Sequence, residues 1–159
     1  MSSPDTATKS ATAAPPPKPG ELKLEVVQVP VSDVDRAKEF YAGLGWREDA
    51  DLVLGEDARV VQFTPPGSLC SIALSKGLTK MEPGSVERLE VGVYDIDATR
   101  EDLIGRGVEV SELVHRGEKG LEPGPDPERA SYNTYATFSD PDGNSWLLQE
   151  IKERLPGRG

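Results

Sequence analysis

The sequence predicts an α+β fold made of two βαβββ modules, spanning about residues 22–76 and 86–151. Three observations carry this. A β-branched stretch followed at once by an Asp-rich helix start occurs twice. Residues along the two stretches match in order at a constant offset of 62 positions. A Pro-Gly turn stands before the last strand of each stretch, Thr64-Pro65-Pro66-Gly67 in the first and Asp140-Pro141-Asp142-Gly143 in the second. One module alone would leave a sheet face bare, so two are expected to pair.

The first strand is expected over 24–31, LEVVQVPV, where Val27, Val29 and Val31 share one face and Val26, Gln28 and Pro30 the other. Ser32 reads as the helix N-cap, with Asp33 and Asp35 in the first turn, where the helix dipole favours anions. Val34, Ala37, Phe40, Tyr41 and Leu44 recur at helical spacing, and Gly43 and Gly45 bracket the helix end. Strands follow at 46–50, 58–64 and 70–75. In the second module LEVGV, 89–93, is a strand, and Asp95-Ile96-Asp97 opens a helix with Ile96, Thr99, Leu103 and Ile104 inward. Gly105 and Gly107 end it. Strands are expected at 108–114, 135–139 and 145–151. Val29, Val31, Asp33, Asp35, Glu39, Gly43 and Gly45 fall on Val91, Val93, Asp95, Asp97, Glu101, Gly105 and Gly107.

The chain has 159 residues, a length suited to one domain. Residues 1–20 hold mostly Ala, Ser, Thr, Pro and Lys and read as a disordered tail, and 153–159 as a loose C-terminus. The folded domain is then 21–152. The formal net charge of -10 argues against nucleic acid as a partner, since phosphate binding needs a basic face. No apolar run is long enough to span a bilayer, and the first twenty residues lack the apolar core of a secretory signal, so a cytoplasmic protein is expected. One cysteine, Cys70, excludes an internal disulfide framework, and one histidine, His115, excludes a mononuclear site built on two histidines of one chain.

Two such modules, with V-S-D-V-D-R-A-K-E-F-Y early and D-P-D-G-N-S-W-L-L-Q-E late, resemble the vicinal oxygen chelate superfamily. That superfamily includes glyoxalases, bleomycin-resistance proteins and extradiol dioxygenases. The resemblance covers most of residues 22–151. It implies a curled, cup-shaped mixed sheet with the helices on its convex side. Val27, Val29, Val31, Leu89, Val91 and Val93 would then form the convex core, and Val26, Gln28, Arg88 and Glu90 would face the cup. The resemblance also implies a divalent metal held by four side chains in the catalytic members. Counting seven residues before the helix-opening Asp and four after the turn glycine puts those places at Val26, Arg88, Ser71 and Leu147. None is a good metal ligand and one is a cation, so no metal cofactor is expected.

The expected ligand-binding lining is Gln28, Arg59, Arg88, Glu90, Tyr135 and Gln149, with Val26, Phe63 and Leu147 as apolar wall. Arg59 is placed there by mapping it onto Tyr135. A structural Arg88–Glu90 ion pair in a partly filled cup is the alternative. His115 is a candidate general base or hydrogen-bond donor at the rim, or else a solvated loop histidine. Glu90 is the other catalytic candidate. The segment 117–134 is read as a lid or as disorder, and Cys70 as a small residue near a strand start. Trp146 should pack on the convex core and Trp46 beneath a helix.

The leading expectation is a metal-free protein of this type that binds a small organic molecule in the cup and forms a homodimer, side by side or by exchanging modules. The alternative is a lyase, isomerase or dioxygenase of the same superfamily, metal-free or with a divalent metal.

Overall fold

The computed structural model describes residues 14–158. Most of the tail expected over 1–20 lies outside the described residues, as does Gly159. Residues 14–25 and 151–158 carry no helix or strand. The first module runs β1 (Val26–Pro30), α1 (Val34–Gly43), β2 (Arg47–Val53), β3 (Arg59–Thr64) and β4 (Ser71–Lys76). The second runs β5 (Leu89–Val93), α2 (Ile96–Gly105), β6 (Val114–Gly117), β7 (Gly120–Pro123), β8 (Tyr135–Ser139) and β9 (Ser145–Glu150).

The fold is α+β with two mixed sheets. Sheet 1 has the order β1-β4-β3-β2 and sheet 2 the order β5-β9-β8-β6-β7. In each, the first strand pairs parallel with the last and the remaining pairs are antiparallel. The helix between first and second strands supplies the crossover that parallel pairing needs.

Both helices start on an aspartate. The Asp33 carboxylate accepts from Arg36 N at 3.0 Å and that of Asp95 from Ala98 N at 3.0 Å. The cap of α1 is therefore Asp33, and not the expected Ser32, whose hydroxyl and amide donate instead to the Asp142 carboxylate. Val34, Ala37 and Tyr41 form the buried stripe of α1. On α2 Ile96 and Leu103 are buried, whereas Ile104, expected inward, is exposed.

The strand expected at 108–114 is a second correction. Val108, Val110 and Leu113 do pack on the core, but regular pairing begins only at Val114. Ser111 explains the delay. Its amide donates to the Thr137 carbonyl at 2.9 Å, while its side-chain hydroxyl accepts from Thr137 N at 2.9 Å. A side chain thus takes the place of a ladder carbonyl. The β6–β7 hairpin then adds a strand beyond the βαβββ pattern.

Alternation fixes the faces of each strand. Val29, Val61, Phe63, Ile72 and Leu74 point to the helix side of sheet 1, and Ala136, Phe138, Trp146 and Leu148 to the helix side of sheet 2. All belong to one core. Tyr41 of α1 stacks near Phe63 of sheet 1 (6.2 Å between ring centroids) and near Trp146 of sheet 2 (6.1 Å). Helix α1 is therefore layered between the two sheets. Trp46 closes the same cluster, 5.0 Å from Trp146. The open faces, those turned away from the helices, point outward from this shared core.

The junction between modules is polar as well as apolar. Trp146 Nε1 donates to the Tyr41 hydroxyl at 2.9 Å, which donates to Asp140 Oδ2 at 2.9 Å. Burial first, and the Asp140 charge second, push the Tyr41 phenol well above its ordinary range. Asp140 Oδ1 accepts the amides of Asp142, Gly143 and Asn144. Asn144 donates its side-chain amide to Asp140 and to the Pro30 carbonyl, and accepts from Val86 N. Gly84 lies against this turn at φ +81°, where a Cβ would sit 2.0 Å from the Asp142 carbonyl oxygen.

Two predictions follow from these contacts. Asp140→Ala strands the Tyr41 hydroxyl and three amides, so urea unfolding should show a loss of about 3 kcal/mol or more, against about 1 kcal/mol for Tyr41→Phe. The second concerns acid. Hydrogen bonds from Arg59, then Lys38, hold the Asp51 carboxyl down at about 2, from an ordinary 3.8. Its contribution is complete above pH 3.8 and is lost as the pH falls towards about 2. Asp51→Asn should flatten the acid limb of the stability curve in that window, measured by urea midpoints at successive pH values.

Candidate functional site

The open face of sheet 1 is built from β1, β4 and β3. Strand parity puts Val26, Gln28 and Pro30 on it, with Ser71, Ala73 and Ser75, and with Val60, Gln62 and Thr64. The β4 side chains are small and buried between longer neighbours. Thr64 and Ser71 share a hydrogen bond, and Thr64 also bonds the Asp49 carboxylate, which a bulge in β2 brings over.

The open face of sheet 2 carries Glu90 and Gly92 from β5, Leu147 and Gln149 from β9, and Tyr135 and Thr137 from β8. Glu90 lies beside Leu147, and Tyr135 beside Gln149. Tyr135 and Gln149 are not free. Their side chains both donate to the Tyr132 carbonyl, at 2.7 and 3.0 Å. Arg88 precedes β5 in a left-handed conformation (φ 59°), and its amide donates to the Ser145 hydroxyl.

The expected lining is thus divided. Gln28 belongs to one open face. Glu90, Tyr135 and Gln149 share the other, and Arg88 stands just before β5. Arg59 and Phe63 are on neither. Arg59 spans Asp51 and Asp35 of α1 on the helix side, and Phe63 is fully buried against Tyr41. The Arg59–Tyr135 mapping is off by one residue: Tyr135 has Val60 as its counterpart, and a one-residue slip reverses every side chain. His115 is also turned from the open face, since Val114 shares Tyr135's row. It is nearly buried, and its Nδ1 lies 2.8 Å from the Gly124 carbonyl oxygen.

The segment 117–134 is tied down. Arg129, at φ 52°, bonds both oxygens of the buried Glu150 and reaches Asp97. Burial works to raise the Glu150 carboxyl, but the Arg129 bond and the Ile96 amide outweigh it, so its pKa lies below the ordinary value. Tyr132 N donates to the Glu150 carbonyl, and Asp126 accepts from Ala130 and Asn133. Sequence reasoning missed Arg129 because nothing in a lone arginine signals its partner 21 residues on.

The positions at which this fold would hold a metal carry few donor atoms. Val26 and Ser71 are side by side, but one is a hydrocarbon and the other already bonds Thr64. Leu147 pairs with Glu90, so the second sheet offers a hydrocarbon and one carboxylate there. This donor set does not fit a divalent cation, which asks for several oxygen or imidazole ligands. Among the described residues, Asp95, Asp97 and Glu150 bring carboxylate oxygens within 4.8 Å of one another. Arg129 already bonds two of the three. No helix among the described residues is long and apolar enough to cross a membrane.

Comparison with known proteins agrees with this architecture. An antibiotic-binding protein, TnmS3 of Streptomyces sp. CB03234, is 32% identical, with a TM-score of 0.65 over 83% of this chain and 98% of that one. A glyoxalase/bleomycin resistance protein from the same strain is 33% identical, with a TM-score of 0.62 over 80% of this chain and all of that one. The uncharacterized protein YetH of Bacillus subtilis (strain 168) is 29% identical over 80% of this chain and 98% of its own length. The sequence model of one family matches residues 23–148, nearly the whole of both modules. The chain belongs to the Glyoxalase/Bleomycin resistance protein/Dioxygenase superfamily.

Proposed function

We propose that this protein binds a small organic molecule without a metal, and that it does so as a homodimer. The observation that carries the reading is the layering of α1 between the two sheets. It turns the open faces outward, so within one chain the open face of neither sheet is walled by the other sheet. A second copy can supply the missing wall, with sheet 1 of one chain facing sheet 2 of its partner. The folded unit is residues 21–152, two related modules on one chain. Gln28, Arg88, Glu90, Tyr135 and Gln149, with Val26 and Leu147, line such a site. Arg59, Phe63 and His115 act in the fold instead.

The chemistry of these walls suits binding more than turnover. Polar and small side chains are interleaved with a few apolar ones, Val26, Val60 and Leu147, so the walls offer both hydrogen bonds and apolar contact. Glu90 is the carboxylate best placed for acid–base work, but His115 is held away from it on the other face. The antibiotic-binding relative supports an antibiotic as the kind of ligand.

Sedimentation at micromolar concentration should give a mass near twice 17.2 kDa, and a single-chain mass would overturn the shared site. Divalent Mn, Ni, Fe or Zn added to chelated protein should leave Tm unchanged, because an ion bound only by the native state must raise it. A rise saturating at one equivalent would overturn the metal-free reading. In a thermal-shift screen of natural-product antibiotics, hits should disappear in Thr137→Trp, a change at an exposed position that plugs the sheet 2 wall. Hits that survive it would place binding elsewhere.

A further inference from the structure

Two buried polar atoms have no hydrogen-bond partner among the described residues: Gln28 Oε1 and Ser75 Oγ. They lie on the same open face, on adjacent strands. Gln28 is level with Ala73 and Ser75 with Pro30, so the two side chains are diagonal neighbours. Ser75 is only 2% exposed. Native proteins bond nearly all such groups, because each one left unmet costs stability. This protein does so elsewhere. Thr134 Oγ1 accepts from Asp126 N, Thr64 bonds Ser71, and both ends of the Asn144 amide are used.

The surroundings narrow the chemistry. Around the pair stand Val26, Pro30, Val60, Gln62 and Ala73, none of them ionisable. The carboxylate that reaches this face, Asp49, sits at the β2 side and is bonded by Thr64 and Arg47. A ligand charge placed beside Gln28 would find no counter-ion there, and its desolvation would go uncompensated. The floor along β4 is made of the short side chains of Ser71, Ala73 and Ser75, covered by longer ones on β1 and β3, so a flat group reaches Ser75 once the Gln28 side chain turns outward.

We propose that Gln28 and Ser75 are the polar anchor for an uncharged ligand group with a donor beside a carbonyl, such as an amide or a hydroxyl next to a ketone. The ligand N–H or O–H donates to Gln28 Oε1. The Ser75 hydroxyl donates to the ligand carbonyl. The proposal rests on the open faces being ligand walls, and adds Ser75 and the class of ligand group. The unmet pair is a cost carried by the free protein and relieved on binding.

The test uses the full-length protein, ¹⁵N-labelled, with benzamide as the neutral probe and benzoate as its charged counterpart of the same shape. Benzamide should shift the amide signals of Val26–Val29 and Ser71–Lys76, and benzoate should not. Ser75→Ala should weaken the benzamide response at least tenfold. In the ligand-free state it should also raise Tm, by about 2–4 °C, because an unmet hydroxyl is removed. A hydroxyl with a structural role would give the opposite sign. Lowered Tm in Ser75→Ala overturns the anchor, as does equal binding of benzoate at these residues. Benzamide shifts confined to Glu90, Thr137 and Gln149 would overturn the anchor and keep the open faces as ligand walls. No shift on either face would sink both.

Discussion

One carboxylate holds the architecture together. Asp140 sits in the turn before β9, buried, and spends both oxygens. One closes its own turn on three backbone amides. The other receives Tyr41 from the opposite module and Asn144 from its own. Burying an ionised group is costly unless it is bonded this fully. Once it is, the turn becomes rigid, and everything it touches is located. Tyr41 fixes α1 over sheet 2, Asn144 fixes the end of β1, and Asp142 holds Ser32 at the entry to α1. The relative placement of the two modules follows.

That placement decides what the binding surfaces are. With α1 between the sheets, the apolar face of each sheet is used up in the shared core. The polar, small-residue faces are left outside. The ion pairs of Arg59 and Arg129 belong to the same logic. Each ties a sheet to the N-terminal turn of the neighbouring helix, Arg59 to Asp35 and Arg129 to Asp97. They stiffen the scaffold on the helix side and leave the other side clear.

Much of this was legible in the sequence. The strands at 89–93 and 135–139 have the bounds that alternation gave, and the second helix starts at the expected aspartate, while the first is capped one residue after the expected Ser32. Periodicity reported that Tyr41 and Trp146 are buried, yet not that they meet, since a pattern of burial names no partner. Strand parity in β3 was lost for a related reason. Gly67 lies three residues after the end of β3, whereas Gly143 lies four after the end of β8, so counting back from the turns slips one strand against the other by one residue. Arg59 and Phe63 were assigned to the wrong face on that count. Ser75 gave no signal at all. A serine in a strand is unremarkable until its hydroxyl is seen to lack a partner.

The outward orientation of the open faces has a genetic consequence. If each pocket joins sheet 1 of one chain to sheet 2 of another, every chain serves two pockets with two separate surfaces. A lesion on the Gln28 surface and a lesion on the Glu90 surface, carried by different alleles, would then meet in one pocket of a mixed dimer. The other pocket would be assembled from two intact walls. Two inactive alleles of this kind would complement each other, while two alleles damaged on the same surface would not.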